Sequence, residues 1–191
     1  MGRPSKRSER RQQILSAFAR VLADHGYAGA TIAAVAGAAG IAPGLVHHHF
    51  DNKAELLTAL LSELSTRFRS RMQSRDSARD ELSAYADAAL KLDARADVTA
   101  AKCWVGLFAE GVRDPALFQA LRRLIDSELA NIQARSGGQL SAHDAGAVLA
   151  YVIGALVLGA FAPKKTAGFA APGLHKLIAA LRGQTVVADL P

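Results

Sequence analysis

The sequence predicts an all-α protein of nine helices, with an N-terminal helix-turn-helix unit leading into a larger helical domain. Three observations carry this expectation. Half of the 191 residues are apolar and only 6% are aromatic, and no stretch alternates β-branched with polar residues as a half-buried strand would. Apolar residues recur instead at spacings of three and four, which place them on one side of a helix. Gly, Pro and capping residues fall between those stripes, where helices start and stop.

Residues 1–11 form a basic arm with Arg3, Lys6, Arg7, Arg10 and Arg11, too polar to pack alone. Ile14, Leu15, Phe18, Val21 and Leu22 are the inner stripe of a first helix, and Gly26 ends it as a left-handed cap. Thr31 caps a short second helix running to Ala39, Gly40 turns the chain, and Pro43 takes the first position of a third. Asn52 and Glu55 have capping-box spacing, and Leu57, Leu60, Leu61, Leu64 and Phe68 mark a long fourth helix. Leu82, Tyr85, Ala86, Ala89 and Leu90 mark a fifth. Cys103, Trp104, Leu107 and Phe108 lie on a sixth that ends near Gly111. Asp114 and Pro115 open the seventh, with Leu117, Leu121, Leu124, Ile125 and Ile132 inward, and Ser136-Gly137-Gly138 closes it. Ser141 with Asp144 opens the eighth helix and Pro163 stops it; Pro172 opens a ninth carrying Leu174, Leu177, Ile178 and Leu181 as far as Gly183. No helical pattern continues after Gln184. The expected divisions are therefore 1–52, 53–183 and a flexible tail at 184–191.

The net charge of +6 is unevenly placed. Residues 1–75 hold eleven Lys and Arg against five Asp and Glu, whereas residues 76–191 hold twelve of each. A positive excess confined to the front of the chain suits a polyanionic partner there and a different task behind it. Cys103 is the only cysteine, so no intrachain disulfide can form, and among apolar neighbours it reads as an inert buried thiol. The basic N-terminus runs into an amphipathic helix rather than a secretory core, which predicts a cytoplasmic address. Ala145–Ala162 is eighteen uncharged residues, long enough to be weighed as a membrane span. Gly146, Gly154 and Gly159 within it, and the absence of flanking aromatics, fit a soluble helix buried between partners, so no membrane is expected. A membrane-associated adaptor is the alternative that this segment keeps open. No Gly-rich phosphate loop, metal-spaced carboxylates or nucleophile elbow points to an enzyme, and no cofactor or metal is expected. His47, His48 and His49 follow one another at about 100° intervals and cannot converge on one ion.

The second and third helices meet the demands of a helix-turn-helix. Ala36 is small enough for the crossing point, Gly40 makes the turn, and Val46 anchors the second of the pair, leaving its outer face free for a major groove. An ordinary helical hairpin would share the spacing; the basic arm favours the DNA reader. The string Gly40-Ile41-Ala42-Pro43-Gly44-Leu45-Val46-His47-His48-His49-Phe50, with Lys53 and Leu56-Leu57 beyond it, resembles the DNA-binding domain of the TetR family of bacterial regulators over about Arg10 to Leu61. The resemblance implies a dimer that binds double-stranded operator DNA and responds to a small-molecule effector, acting as a repressor more often than an activator. It also implies phosphate contacts from Thr31 and Lys53, and a DNA face at Pro43, Gly44, Leu45, His47 and His48. Two departures stand out. Ala42 occupies the place of a Ser or Thr cap, and His47 that of a phosphate-contacting Tyr, whose bond a ring N–H can replace.

Tyr85, Cys103, Trp104, Leu107, Phe108, Leu117 and Phe118 supply the surface for an effector pocket between helices. The segment Lys102-Cys103-Trp104 with Leu107, Phe108, Pro115 and Leu117 is similar to the choline-responsive betaine-regulator branch of that family, which implies a quaternary ammonium over Trp104. That branch reads Ile-Asp-Gly-Leu-x-Leu-Arg where this chain reads Ile153-Gly154-Ala155-Leu156-Val157-Leu158-Gly159, and with both charges gone a neutral or weakly polar effector is expected. The small residues Gly154, Ala155 and Gly159, with Leu158, Leu174, Leu177 and Leu181, are the expected seam of a homodimer formed by the last two helices.

Overall fold

The computed structural model describes residues 6–73, 80–90 and 96–187, and every regular element among them is a helix. In chain order these are α1 (Lys6–Gly29), α2 (Ile32–Ala39), α3 (Pro43–His49), α4 (Lys53–Gln73), α5 (Glu81–Leu90), α6 (Ala96–Gly111), α7 (Pro115–Arg135), α8 (Ala142–Phe161) and α9 (Pro163–Val187). Arg3, the side chain of Phe68 and residues 188–191 lie outside the described residues.

Local chemistry sets most boundaries. Gly26 breaks α1 at φ 68°, a left-handed conformation that costs glycine little, and one more turn follows before Ala30. Thr31 Oγ1 accepts from the Ala34 N–H at 3.1 Å, and Gly40 closes α2 at φ 65°. The last carbonyls of α2 are also taken up from α1: Arg20 donates to Ala38 O at 3.0 Å and Gln13 Nε2 to Ala39 O at 2.7 Å. Asn52 caps α4 through a 2.9 Å bond from the Glu55 N–H, while Glu55 reaches back to the Asp51 N–H rather than to that of Asn52. Asp114 caps α7, and Ser141 and Asp144 form a complete capping box on α8.

The buried side chains fall into two clusters. In the first, Ile14, Phe18 and Leu22 of α1 meet Val35 of α2, Val46 of α3 and Leu56 of α4. Cys103 and Leu107 of α6 and Leu117 and Leu121 of α7 belong to that same cluster, so the three N-terminal helices share their core with the middle of the chain. A Cβ on Gly111 would lie 2.5 Å from Leu121 Cδ1, and the missing side chain is what lets the end of α6 press against α7. The second cluster joins Leu82 and Tyr85 of α5, Ile132 of α7, Val148 and Val152 of α8, and Leu174 and Ile178 of α9. Helix α6 packs on both α1 and α8, and α7 contributes its beginning to one core and its end to the other.

The ninth helix differs from expectation at both ends. It starts at Pro163, which therefore stops α8 and opens α9, with the Thr166 N–H donating to Ala162 O at 3.0 Å. Pro172 lies inside α9, where it has no N–H to give the Gly168 carbonyl; both residues are exposed. The helix also runs past Gly183 to Val187, into the segment expected to be without helix.

Leu107 is fully buried at the junction of α6 with α1. Leu107→Ala should lower stability by roughly 2–5 kcal/mol. Because the core is shared, thermal melting should remain a single transition in circular dichroism; an early, separate melting of the C-terminal half would contradict it.

Candidate nucleic-acid interface

Helix α3 presents one side to the core and the rest to solvent. Val46 is fully buried and Leu45 half-buried, while Pro43, Gly44, His47 and His48 are exposed. Ala42 caps α3 without a side-chain bond, and Pro43 at the first position presets the helical φ instead. His49 is half-buried; burial first, and then the charges of His48, Arg7, Arg11 and Arg10, lower its pKa. Its ring meets that of His48 edge-on at 5.2 Å. From α1, Lys6 and Arg7 are exposed, and Arg10 is half-buried with a 2.7 Å bond to Gln13. Thr31 is exposed at the start of α2, its oxygen engaged as the cap.

Two expected phosphate contacts have other work in the structure. Arg11 donates to His49 O at 2.7 Å, pairs with Glu55 at 3.4 Å and lies 4.0 Å from the centre of the Phe50 ring. Its guanidinium thus closes the carbonyl end of α3 and ties α1 to α4. Lys53 donates to Tyr27 O at 2.9 Å with its ammonium 4.1 Å from the Tyr27 ring centre, holding the start of α4 against the end of α1. Burial, then Asp114 and Glu110, push the Tyr27 pKa up, which brings the α6–α7 turn into the same neighbourhood. Sequence spacing could not find these clamps, because each joins residues 26 to 44 positions apart.

Of the seven residues expected around an effector, five gather at the first cluster, while Tyr85 and Phe118 stand apart from them. Tyr85 is buried in the second cluster, where its hydroxyl meets Glu128 at 3.4 Å. Cys103, Leu107 and Leu117 are buried in the first, with Trp104 and Phe108 packed against it as a tilted pair 6.1 Å apart. Phe118 is 50% exposed. The Cys103 thiol donates to Ala19 O at 3.1 Å across the α1–α6 seam, and burial pushes its pKa up to about 12, as an unreactive thiol requires. Helical periodicity identified these as inward residues but could not say which of two cores each one meets.

The expected dimer seam divides as well. Ala155, Gly159 and Leu174 are buried within the protomer, and Leu177 and Leu181 are half-buried against its second core. Gly154 and Leu158 point outward, joined by Phe161 at 80% and Phe169 at 45% exposure, two aromatics that the sequence reading did not single out. Alternation of small and large residues hid them, since α8 is apolar on every side.

Arg11→Ala and Lys53→Ala should each lower stability by about 1–2 kcal/mol, through lost charge-assisted bonds and ring contacts. Arg7→Ala should leave the melting temperature unchanged. Equal melting of all three variants would remove the clamp role.

Comparison with known proteins agrees with this geometry. Residues 14–60, which span α1 to the first turns of α4, match the model for bacterial regulatory proteins of the tetR family. The HTH-type transcriptional regulator BetI of Rhizobium meliloti is 29% identical over 120 residues, 61% of this chain, which there spans only 57% of that relative's length. BetI of Escherichia coli is 30% identical over 162 residues, covering 80% of this chain and 83% of the relative. A crystal structure of a TetR-family transcriptional regulator from Rhodococcus sp. superposes with a TM-score of 0.74 at 27% identity, over 92% of this chain and 100% of that one. The chain belongs to the TetR family of bacterial regulatory proteins.

Proposed function

We propose that the chain is a transcriptional repressor, a homodimer that grips a palindromic operator with one α3 from each protomer and is released by a small-molecule effector. The observation that carries this reading is the outward presentation of Pro43, Gly44, His47 and His48 on a helix pinned from behind by the fully buried Val46. An exposed helix of that kind next to a basic α1 offers the two things DNA recognition needs, charge for the phosphates and side chains for base edges. Repression is the simplest consequence of a dimer that occupies duplex DNA and excludes other proteins from it. Such a role places the chain in the cytoplasm, with the chromosome.

The dimer reading draws on the uncovered apolar strip of α8 and early α9. Gly154, Leu158 and Phe161 are all exposed on α8, a concentration of apolar surface that marks an interface more often than a free face. Helix α8 is long and apolar enough to cross a membrane, with a mean hydropathy of 1.9. Its capping box and its packing against α6, α7 and α9 favour a protein partner instead. For the effector, the half-buried pair Trp104 and Phe108 is the proposed contact, since those rings can be reached without opening the core around Leu107.

Selecting bound duplexes from a random library tests the DNA reading. Enriched sequences should carry two inverted half-sites about 34–36 Å apart, or a multiple of that. A library that enriches no motif would overturn it. Gly154→Leu tests the dimer, because Gly154 is exposed and a Cβ added there meets nothing within 4 Å in the protomer. The variant should fold and melt as the parent does yet sediment as monomer, with operator affinity falling by at least about tenfold as the two half-sites lose their linkage. A stable dimer would move the interface elsewhere.

A further inference from the structure

We propose that His47 and His48 contact DNA as imidazolium ions, so that duplex binding takes up protons and strengthens as the pH falls from about 8 to about 6. This rests on the DNA-binding reading of α3 and adds the charge state in which the site works. Apart from these two rings, the exposed face of α3 offers only Pro43 and Gly44, with Leu45 half-buried. None of the three has an ionisable side chain or a side-chain hydrogen bond to give, so every polar side-chain contact made by this helix passes through an imidazole.

The surroundings of the two rings are specific. Helix α2, which packs against α3, has the sequence Ile-Ala-Ala-Val-Ala-Gly-Ala-Ala and contains no titratable group. Helix α1 brings the charges of Arg7, Arg10 and Arg11 towards neighbouring His49, where they disfavour a charged ring, so the proton uptake proposed for His47 and His48 is driven by the approaching phosphates. The first carboxylate of α4 in the chain is Glu55, which is engaged by Arg11 and by the Asp51 N–H, and Asp51 itself is exposed in the connection. His49 is half-buried, and burial first, then the nearby positive charges, disfavour its charged form. Both rings also sit in the last turn of α3, the end at which the backbone dipole favours a cation. A phosphate backbone brought against this face favours the charged ring at each position. In the protonated form both ring nitrogens donate, to phosphate oxygens or to the N7 and O6 acceptors of guanine.

The test is fluorescence anisotropy with a labelled mixed-sequence 30-base-pair duplex and the full chain, from pH 8 to pH 6 at constant ionic strength. Affinity should rise by about tenfold or more over that interval. The slope of log affinity against log salt should steepen at the acid end by about 0.9 for each added charge. His47→Gln with His48→Gln should reduce the pH effect to less than about twofold while the chain melts as before. His47→Arg with His48→Arg should bind at pH 8 at least as tightly as the parent does at pH 6. A flat pH profile in the parent, or an undiminished one in the double Gln variant, overturns the proposal and leaves the DNA reading intact. Failure to bind duplex at every pH overturns the DNA reading with it.

Discussion

Helix α1 is the wall shared by the other N-terminal helices and by α6. Ile14, Phe18 and Leu22 close the core under α2, α3 and α4, and the same helix meets α6 at Cys103 and Leu107. A single helix serving two sets of neighbours leaves α3 little freedom to move relative to α6 unless α1 moves as well. The position of α3 is therefore tied mechanically to the domain behind it, through packed side chains rather than through a linker. The polar clamps act in the same direction. Arg11 ties α1 to α3 through the His49 carbonyl, and Lys53 ties α4 to α1 through the Tyr27 carbonyl, which also accepts from the Ala30 N–H.

What the sequence made legible was whatever depends on near neighbours. Thr31, Gly40, Pro43, Asp114 and the Ser141–Asp144 box set helix ends through bonds to residues within a turn, and those ends fall where they were expected. Pro172 shows the limit of that reasoning. A proline is most at home in the first turn of a helix, and nothing in the local pattern said that α9 would continue through an interior one. Pro163, nine residues earlier, served as both stop and start.

Longer-range relations were not legible. The stripe on α6 is inward, as its period demands, but its partner is α1, so Cys103 and Leu107, with Leu117 of α7, join the core of the N-terminal helices while Tyr85 joins the other. On α8, where nearly every residue is apolar, the period carries no directional signal. Ala155 and Gly159 turned inward, and Leu158 and Phe161 were left as the open surface. The basic arm was read as charge, yet charge alone does not reveal use: Arg7 is exposed while Arg11 is drawn into a clamp.

The central claim is that α3, braced by α1, is the face that meets DNA. Hydrogen–deuterium exchange of the full chain, free and saturated with duplex, tests it most directly because it reports every segment at once. Slower exchange should appear in the first turns of α1 and across α2 and α3, with the amides of α5, α8 and α9 unchanged by the duplex. Protection confined to α8 and α9, or no protection in α3 at saturation, would contradict it.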